Sequence, residues 1–132
     1  MHTYKKSLIV SADDLDELEH VNNVRYVQWI QDIAKEHWQE TVPESIKKGI
    51  IWVVMTHHIT YKFPAKLNDP IILSTFINKS KGAKSQRVVE MHNEKTGQLL
   101  VRSVTDWCML NSKTKRPMRI TDDVMKLFEK KS

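Results

Sequence analysis

Apolar positions along the chain recur first at the period of a strand, then at that of a helix, then at that of a strand again. Tyr4 to Val10 alternates and predicts a first strand, with Leu8 and Val10 set against Ser7 and Ile9. Asp13, Asp14 and Asp16 oppose strand pairing and predict a loop, and Asn22 or Asn23 is placed to cap a helix. From Val24 to about Glu40 the stripe Tyr26, Val27, Ile30, Ile33, Ala34, His37 and Trp38 recurs at helical steps, and Val24 and Trp29 widen it. Such a helix has to be enclosed on more than one side. Pro43 ends the helical signal, and Lys47 to Gly49 reads as a turn.

From Ile50 onward the period is that of strands. Ile51–Phe63, Ile71–Ile77, Gln86–His92 and Leu99–Leu110 are the predicted strands. Asn68-Asp69-Pro70, Lys81-Gly82 and Asn93–Gly97 separate them. Leu99, Val101, Ser103, Thr105, Trp107 and Met109 fall on one face of the last strand. A polar turn, Asn111–Pro117, leads to Thr121, the cap of a short final helix over Asp122–Lys130. Consecutive strands with short connections imply an antiparallel sheet. One long apolar helix beside one such sheet implies an α+β domain in which the sheet wraps the helix.

Composition keeps this picture and removes some function classes. The 132 residues suit a single domain, 1–132, and the content of 40% hydrophobic and 28% charged residues is that of a globular protein. No apolar run approaches a membrane span, and Met1–Ser11 has no signal-peptide core. Cys108, the single cysteine, lies in an apolar run and fits a buried thiol in a reducing compartment, so the expected location is cytoplasmic. The net charge of +5, to which the tail Lys126, Lys130 and Lys131 contributes, comes without any zinc-finger spacing, RNA-binding aromatic pattern or basic helix. No nucleic-acid partner and no membrane partner are expected. His57 and His58 are strand neighbours that point to opposite faces, and no two histidines share a helical face, so no metal site is expected.

The candidate chemistry lies between the first strand and the helix. Asp14, Asp16, Glu17, Glu19, His20, Asn22 and Asn23 bring carboxylates, an imidazole and amides to a helix N-terminus. Unpaired N–H groups and a positive dipole end are found there, suited to an oxyanion. A carboxylate beside them can act as nucleophile or general base. Read from residues alone, the acids are equally explained as solvated loop residues and the asparagines as caps.

The segment DLDELEHVNNVRYVQWI, Asp14 to Ile30, resembles the motif region of the hotdog-fold thioesterases, both the 4-hydroxybenzoyl-CoA thioesterase group and the plant acyl-ACP thioesterases. Ile59–Ala65, Asn68-Asp69, Val104–Trp107 and Arg116–Ile120 extend the resemblance over nearly the whole chain. The resemblance implies a hotdog fold and hydrolysis of an acyl thioester, with acyl-CoA or acyl-ACP as substrate. It implies no cofactor beyond coenzyme A as part of substrate or product. It implies a homodimer or homotetramer, with the site formed between subunits.

Residue by residue, Asp16 matches the catalytic carboxylate, His20 its assistant in the plant enzymes, and Asn23 the helix start whose N–H polarises the carbonyl. With these the expected site has Asn22, Val24 and Tyr26 at the substrate, the N–H groups of Asn23 and Val24 holding the thioester oxygen. Two positions depart from the pattern. Glu19 stands where the hydroxybenzoyl group usually has Gly, and Leu18 where the plant pattern has Asn. The loss of that amide favours Asp16 plus backbone donors.

Lys79, Lys81 and Lys84, together with Arg87, form a basic strip that reads either as a contact for coenzyme A phosphates or as a solvated loop. Trp29, Trp38, Trp52 and Trp107 line an acyl pocket or pack a core, and core packing is the expectation for most of them. Two other functions compete: a hotdog hydratase or dehydratase, and a non-catalytic acyl-thioester binding module. The four and six residues that separate Asp16 and Asp14 from His20 do not fit the usual hydratase spacing.

Overall fold

The computed structural model describes residues 2–129. Strand β1 (Tyr4–Ile9) leads through a 3-10 turn to the 19-residue helix α1 (Asn23–Thr41) and the single-turn helix α2 (Glu44–Lys47). Strands β2 (Ile50–Tyr61), β3 (Pro70–Lys81), β4 (Lys84–Asn93) and β5 (Leu99–Asn111) come next, then helix α3 (Asp122–Glu129). The strands form one antiparallel five-stranded sheet in the order β1-β3-β4-β5-β2. This is the expected α+β architecture, a sheet wrapped about one long helix.

α1 begins where Asn22 accepts a hydrogen bond from the Val24 N–H at 2.9 Å, and it ends before Pro43. Its buried face, Tyr26, Ile30, Ile33, Ala34 and His37, meets β1 and β3. Ile30 and Ile33 are fully enclosed with Ile71, Leu73 and Met91 of the sheet. Each such side chain contributes about 1.5–3 kcal/mol by burial. A second cluster, Val42, Met109, Ile120, Val124 and Phe128, joins α3 to the far end of the sheet. Cys108 is a buried free thiol, as the apolar run around it requires.

Several boundaries differ from those expected of the sequence. β3 continues past Ile77 to Lys81 because a bulge between Ile77 and Lys79 turns its exposed polar end into the hairpin with β4. Gly82 closes that hairpin at φ 63°, where a side chain is disfavoured. α2 escapes notice because one helical turn carries no periodicity. Val24, expected on the apolar stripe, points to solvent because the buried face begins at Tyr26. The expected end of the last helix, Lys130, and Lys131 of the basic tail lie outside the described residues.

One feature of the core is polar. His37, fully buried on α1, accepts a hydrogen bond at Nδ1 from Arg87 Nη1 of β4, 2.8 Å away, which leaves its Nε2–H to donate to His2 Nδ1 at 2.7 Å. Burial, with the Arg87 charge and then His2 adding to it, lowers the His37 pKa from 6.5 to about 3, so the ring is neutral. The unfolded chain takes up this proton near 6.5 and the native chain only near 3. The His37 contribution is therefore complete above about 6.5 and is lost as pH falls from there towards 3. Urea unfolding at about pH 5 should give a stability about 2 kcal/mol below that at about pH 7. The difference should shrink in His37→Gln; the same pH slope in that variant would place the effect elsewhere.

Candidate active site

The loop between β1 and α1 is built on Asp14. Its carboxylate accepts hydrogen bonds from the Ser11 N–H at 2.8 Å and the Ser11 hydroxyl at 3.2 Å, and pairs with Arg25 Nε at 3.0 Å. Its carbonyl accepts from the Asn22 N–H at 2.8 Å. Asp14 is thus a buried clamp that fastens the loop to the start of α1. Pairing of Leu15 with Val21 and of His20 with Lys66, and the bond from the Val21 N–H to the Ala65 carbonyl, tie the loop to the segment after β2.

Asp16 lies on this loop and is exposed in the single chain. Its Oδ1 accepts from the backbone N–H groups of Leu18 at 2.9 Å and His20 at 3.1 Å. Oδ2 makes no hydrogen bond among the described residues. The carboxylate is therefore oriented by its own turn, with one oxygen uncommitted. Glu19 closes the turn at φ 62°, a left-handed conformation that glycine adopts more readily.

The other expected site residues are placed unevenly. His20 meets Asp16 through its backbone N–H, and its ring makes no bond to the carboxylate. The Val24 N–H is already occupied by Asn22 Oδ1, which removes it as an oxyanion donor. Asn22 is a cap, and the Asn23 N–H, the first of the helix, has no partner among the described residues. Tyr26 is not open to a substrate: it is buried and its hydroxyl accepts from the Ala65 N–H at 3.1 Å. Burial raises its pKa, against a lowering by that backbone bond.

Lys79, Lys81 and Lys84 are exposed at the β3–β4 hairpin, where Lys81 pairs with Lys84. The Asp16 loop adjoins the opposite end of β3, since Ile9 pairs with Pro70. Lys79 is nine residues along from Pro70, about 30 Å at strand rise. Within one chain the lysines and Asp16 do not form one site. Arg87 does not belong to the basic strip either: it faces inward and is 6% exposed.

A cavity of about 390 Å³ lies between the C-terminal half of α1 and the sheet. Trp38, Trp52 and Trp107 line it, while Trp29 packs against the main core, so three of the four tryptophans wall a cavity. The sequence favours core packing over a pocket for these tryptophans and places Arg87 with the exposed lysines, although Arg87 interrupts the buried phase of β4, Ser85-Arg87-Val89-Met91, and His37 sits on the apolar stripe of α1. No group of three or more metal-ligating side chains occurs among the described residues. No helix among them is long and apolar enough to cross a membrane.

Comparison with known proteins joins this geometry to a family. The family model of the acyl-ACP thioesterase N-terminal domain matches residues 1–128. A chloroplastic palmitoyl-acyl carrier protein thioesterase from Cuphea hookeriana is 30% identical over 130 residues, covering 94% of this chain and 31% of its own length. The chain thus spans about a third of the length of the curated relatives it matches. Among solved structures, a probable thioesterase from Escherichia coli superposes with a TM-score of 0.81 at 21% identity, over 95% of this chain and 96% of that one. A variant 4-hydroxybenzoyl-CoA thioesterase in complex with 4-hydroxybenzoyl-CoA gives a TM-score of 0.87 at 13% identity, over 97% and 99% of the two chains. These likenesses establish the hotdog fold. With a family model covering nearly every residue, the chain belongs to the family described by the acyl-ACP thioesterase N-terminal domain.

Proposed function

We propose that this domain hydrolyses an acyl thioester, carried by coenzyme A or acyl carrier protein, with Asp16 at the reacting carbonyl. The supporting observation is a carboxylate whose Oδ1 is fixed by two backbone N–H groups while Oδ2 stays free, on a loop clamped to the start of α1. The unpartnered Asn23 N–H, at the positive end of the helix, is the donor for the thioester oxygen. Oδ2 either attacks the carbonyl, expelling the thiolate and forming a mixed anhydride that water then hydrolyses, or takes a proton from the water that attacks the carbonyl as the thiolate leaves. His20 holds the carboxylate through its main chain.

A second copy of the chain completes the site in this reading. Leu18 and Val24 are 73% and 75% exposed beside Asp16, and Phe63 and Leu67 are exposed on the segment tied to the same loop. β2 is an edge strand that shows Val53, Met55 and Tyr61 to solvent. Contiguous apolar surface and an unpaired edge mark an association surface. A homodimer, or a tetramer built from two dimers, would turn the open face around Asp16 into a cleft and restrict water there.

Asp16→Asn keeps an acceptor for both N–H groups but removes the charge. It should lower turnover of an acyl-CoA panel, read by release of free thiol, by roughly a hundredfold to ten-thousandfold. Its unfolding free energy should change by less than about 1 kcal/mol. Undiminished thiol release would remove Asp16 from the chemistry, and a wild type that binds but never releases thiol would leave a binding module. Charge placed on the edge, as in Val53→Glu with Met55→Lys, should abolish the dimer and turnover together; a fully active monomer would refute the shared site.

A further inference from the structure

The cavity beneath the C-terminal half of α1 has a chemistry that thioester hydrolysis at Asp16 does not use. Arg87 is 6% exposed, and no carboxylate pairs with it among the described residues. A guanidinium has five N–H donors. Here Nη1 donates to His37 Nδ1 at 2.8 Å and to Thr75 Oγ1 at 3.1 Å, both neutral acceptors. Nε and Nη2 have no partner among the described residues. Among the described residues, the indole Nε1 atoms of Trp52 and Trp107, both on the cavity wall, are sealed from solvent without a partner. The space that Arg87 lines is the cavity.

Burial lowers the Arg87 pKa only to about 10, so the group is a cation at neutral pH. An enclosed cation without an anion is costly. The protein nevertheless holds it in place, since His37 is itself fixed between Arg87 and His2. The polar row continues across the sheet: Arg87 pairs with Thr105, and Thr105 with His57, whose Nδ1 lies 2.8 Å from the Thr105 hydroxyl. Around the cation the wall is largely apolar and aromatic, from Trp38, Ile50, Trp52, Ile77 and Trp107, and Lys35, exposed on α1, is a second cation on its rim. The volume of about 390 Å³ falls within the roughly 300–1,000 Å³ typical of small-molecule sites.

We propose that this cavity binds a free amphipathic carboxylate, a fatty acid or a similar apolar acid, head-first, with the carboxylate on Arg87 Nε and Nη2 and the apolar body against the tryptophans. Nε and Nη2 form the planar fork that a carboxylate accepts in bidentate fashion. The apolar body covers the indole and isoleucine surfaces. The site stands apart from Asp16. The cavity begins at Gln31, eight residues into α1, about 12 Å along the helix axis.

Intrinsic tryptophan fluorescence and calorimetry on the full chain test this with three probes of one tail length: dodecanoate, dodecanol and dodecyltrimethylammonium, each below its micelle concentration. Dodecanoate should bind at least about tenfold more tightly than dodecanol, and the cation more weakly than both. Arg87→Met should erase the preference for dodecanoate while keeping dodecanol binding, and Arg87→Lys should restore part of it. Wild-type protein that binds dodecanoate no better than dodecanol, or binds neither, overturns the proposal without any variant, as does a preference retained in Arg87→Met. Asp16→Asn should bind dodecanoate as the wild type does, so loss of turnover and loss of this binding report on separate readings.

Discussion

A 19-residue helix packed on a five-stranded sheet is the constraint on which the rest of the molecule depends. α1 cannot rest on a flat surface, because its apolar face is wide and the sheet has to curl to cover it. It lies over β1 and β3, at one side of the sheet, and this asymmetry has two results. The start of the helix is pressed against the segment after β2, where Tyr26 and Ala65 are bonded and the Asp16 loop is held. The other half diverges from β2 and β5 and leaves the cavity. One packing decision thus generates the exposed Asp16 loop at one end and a largely apolar cavity around Arg87 towards the other.

The two acids of the loop divide labour by environment. Asp14 is enclosed and spends both oxygens on Ser11 and Arg25, so it serves the structure. Asp16, two residues on, turns outward and keeps an oxygen free. Their residue type is the same; what differs is the number of donors each meets. The helix start is selective in the same way. Asn22 consumes the second N–H of α1, and the first has no partner among the described residues.

Much of this was legible in the chain. The alternation in Leu99–Leu110 and the helical stripe from Tyr26 to Trp38 fix the elements, because burial on one face has to appear as a period. The Asp14–Tyr26 segment marks the loop that carries Asp16 and the helix start. What was not legible depends on contacts between distant residues. That Arg87 turns inward is decided by its register with Thr105 and by His37, fifty residues earlier, and not by its lysine neighbours. That the Val24 N–H is taken results from a cap that Asn22 or Asn23 could equally supply on paper. The true end of β3 was hidden because a bulge, which has no hydrophobic signature, carries it to Lys81.

The left-handed Glu19 has a consequence for how the loop tolerates change. A side chain in that conformation costs about 1–2 kcal/mol, yet the turn closes, because the Asp16 N–H reaches the His20 carbonyl at 2.7 Å and the Glu19 N–H the Asp16 carbonyl at 3.1 Å. Main-chain bonds, rather than the choice of side chain, define its shape. Side chains at Glu17, Leu18 and Glu19 can therefore be exchanged with little effect on the direction in which Asp16 points, because the bonds that aim it are made by main-chain N–H groups.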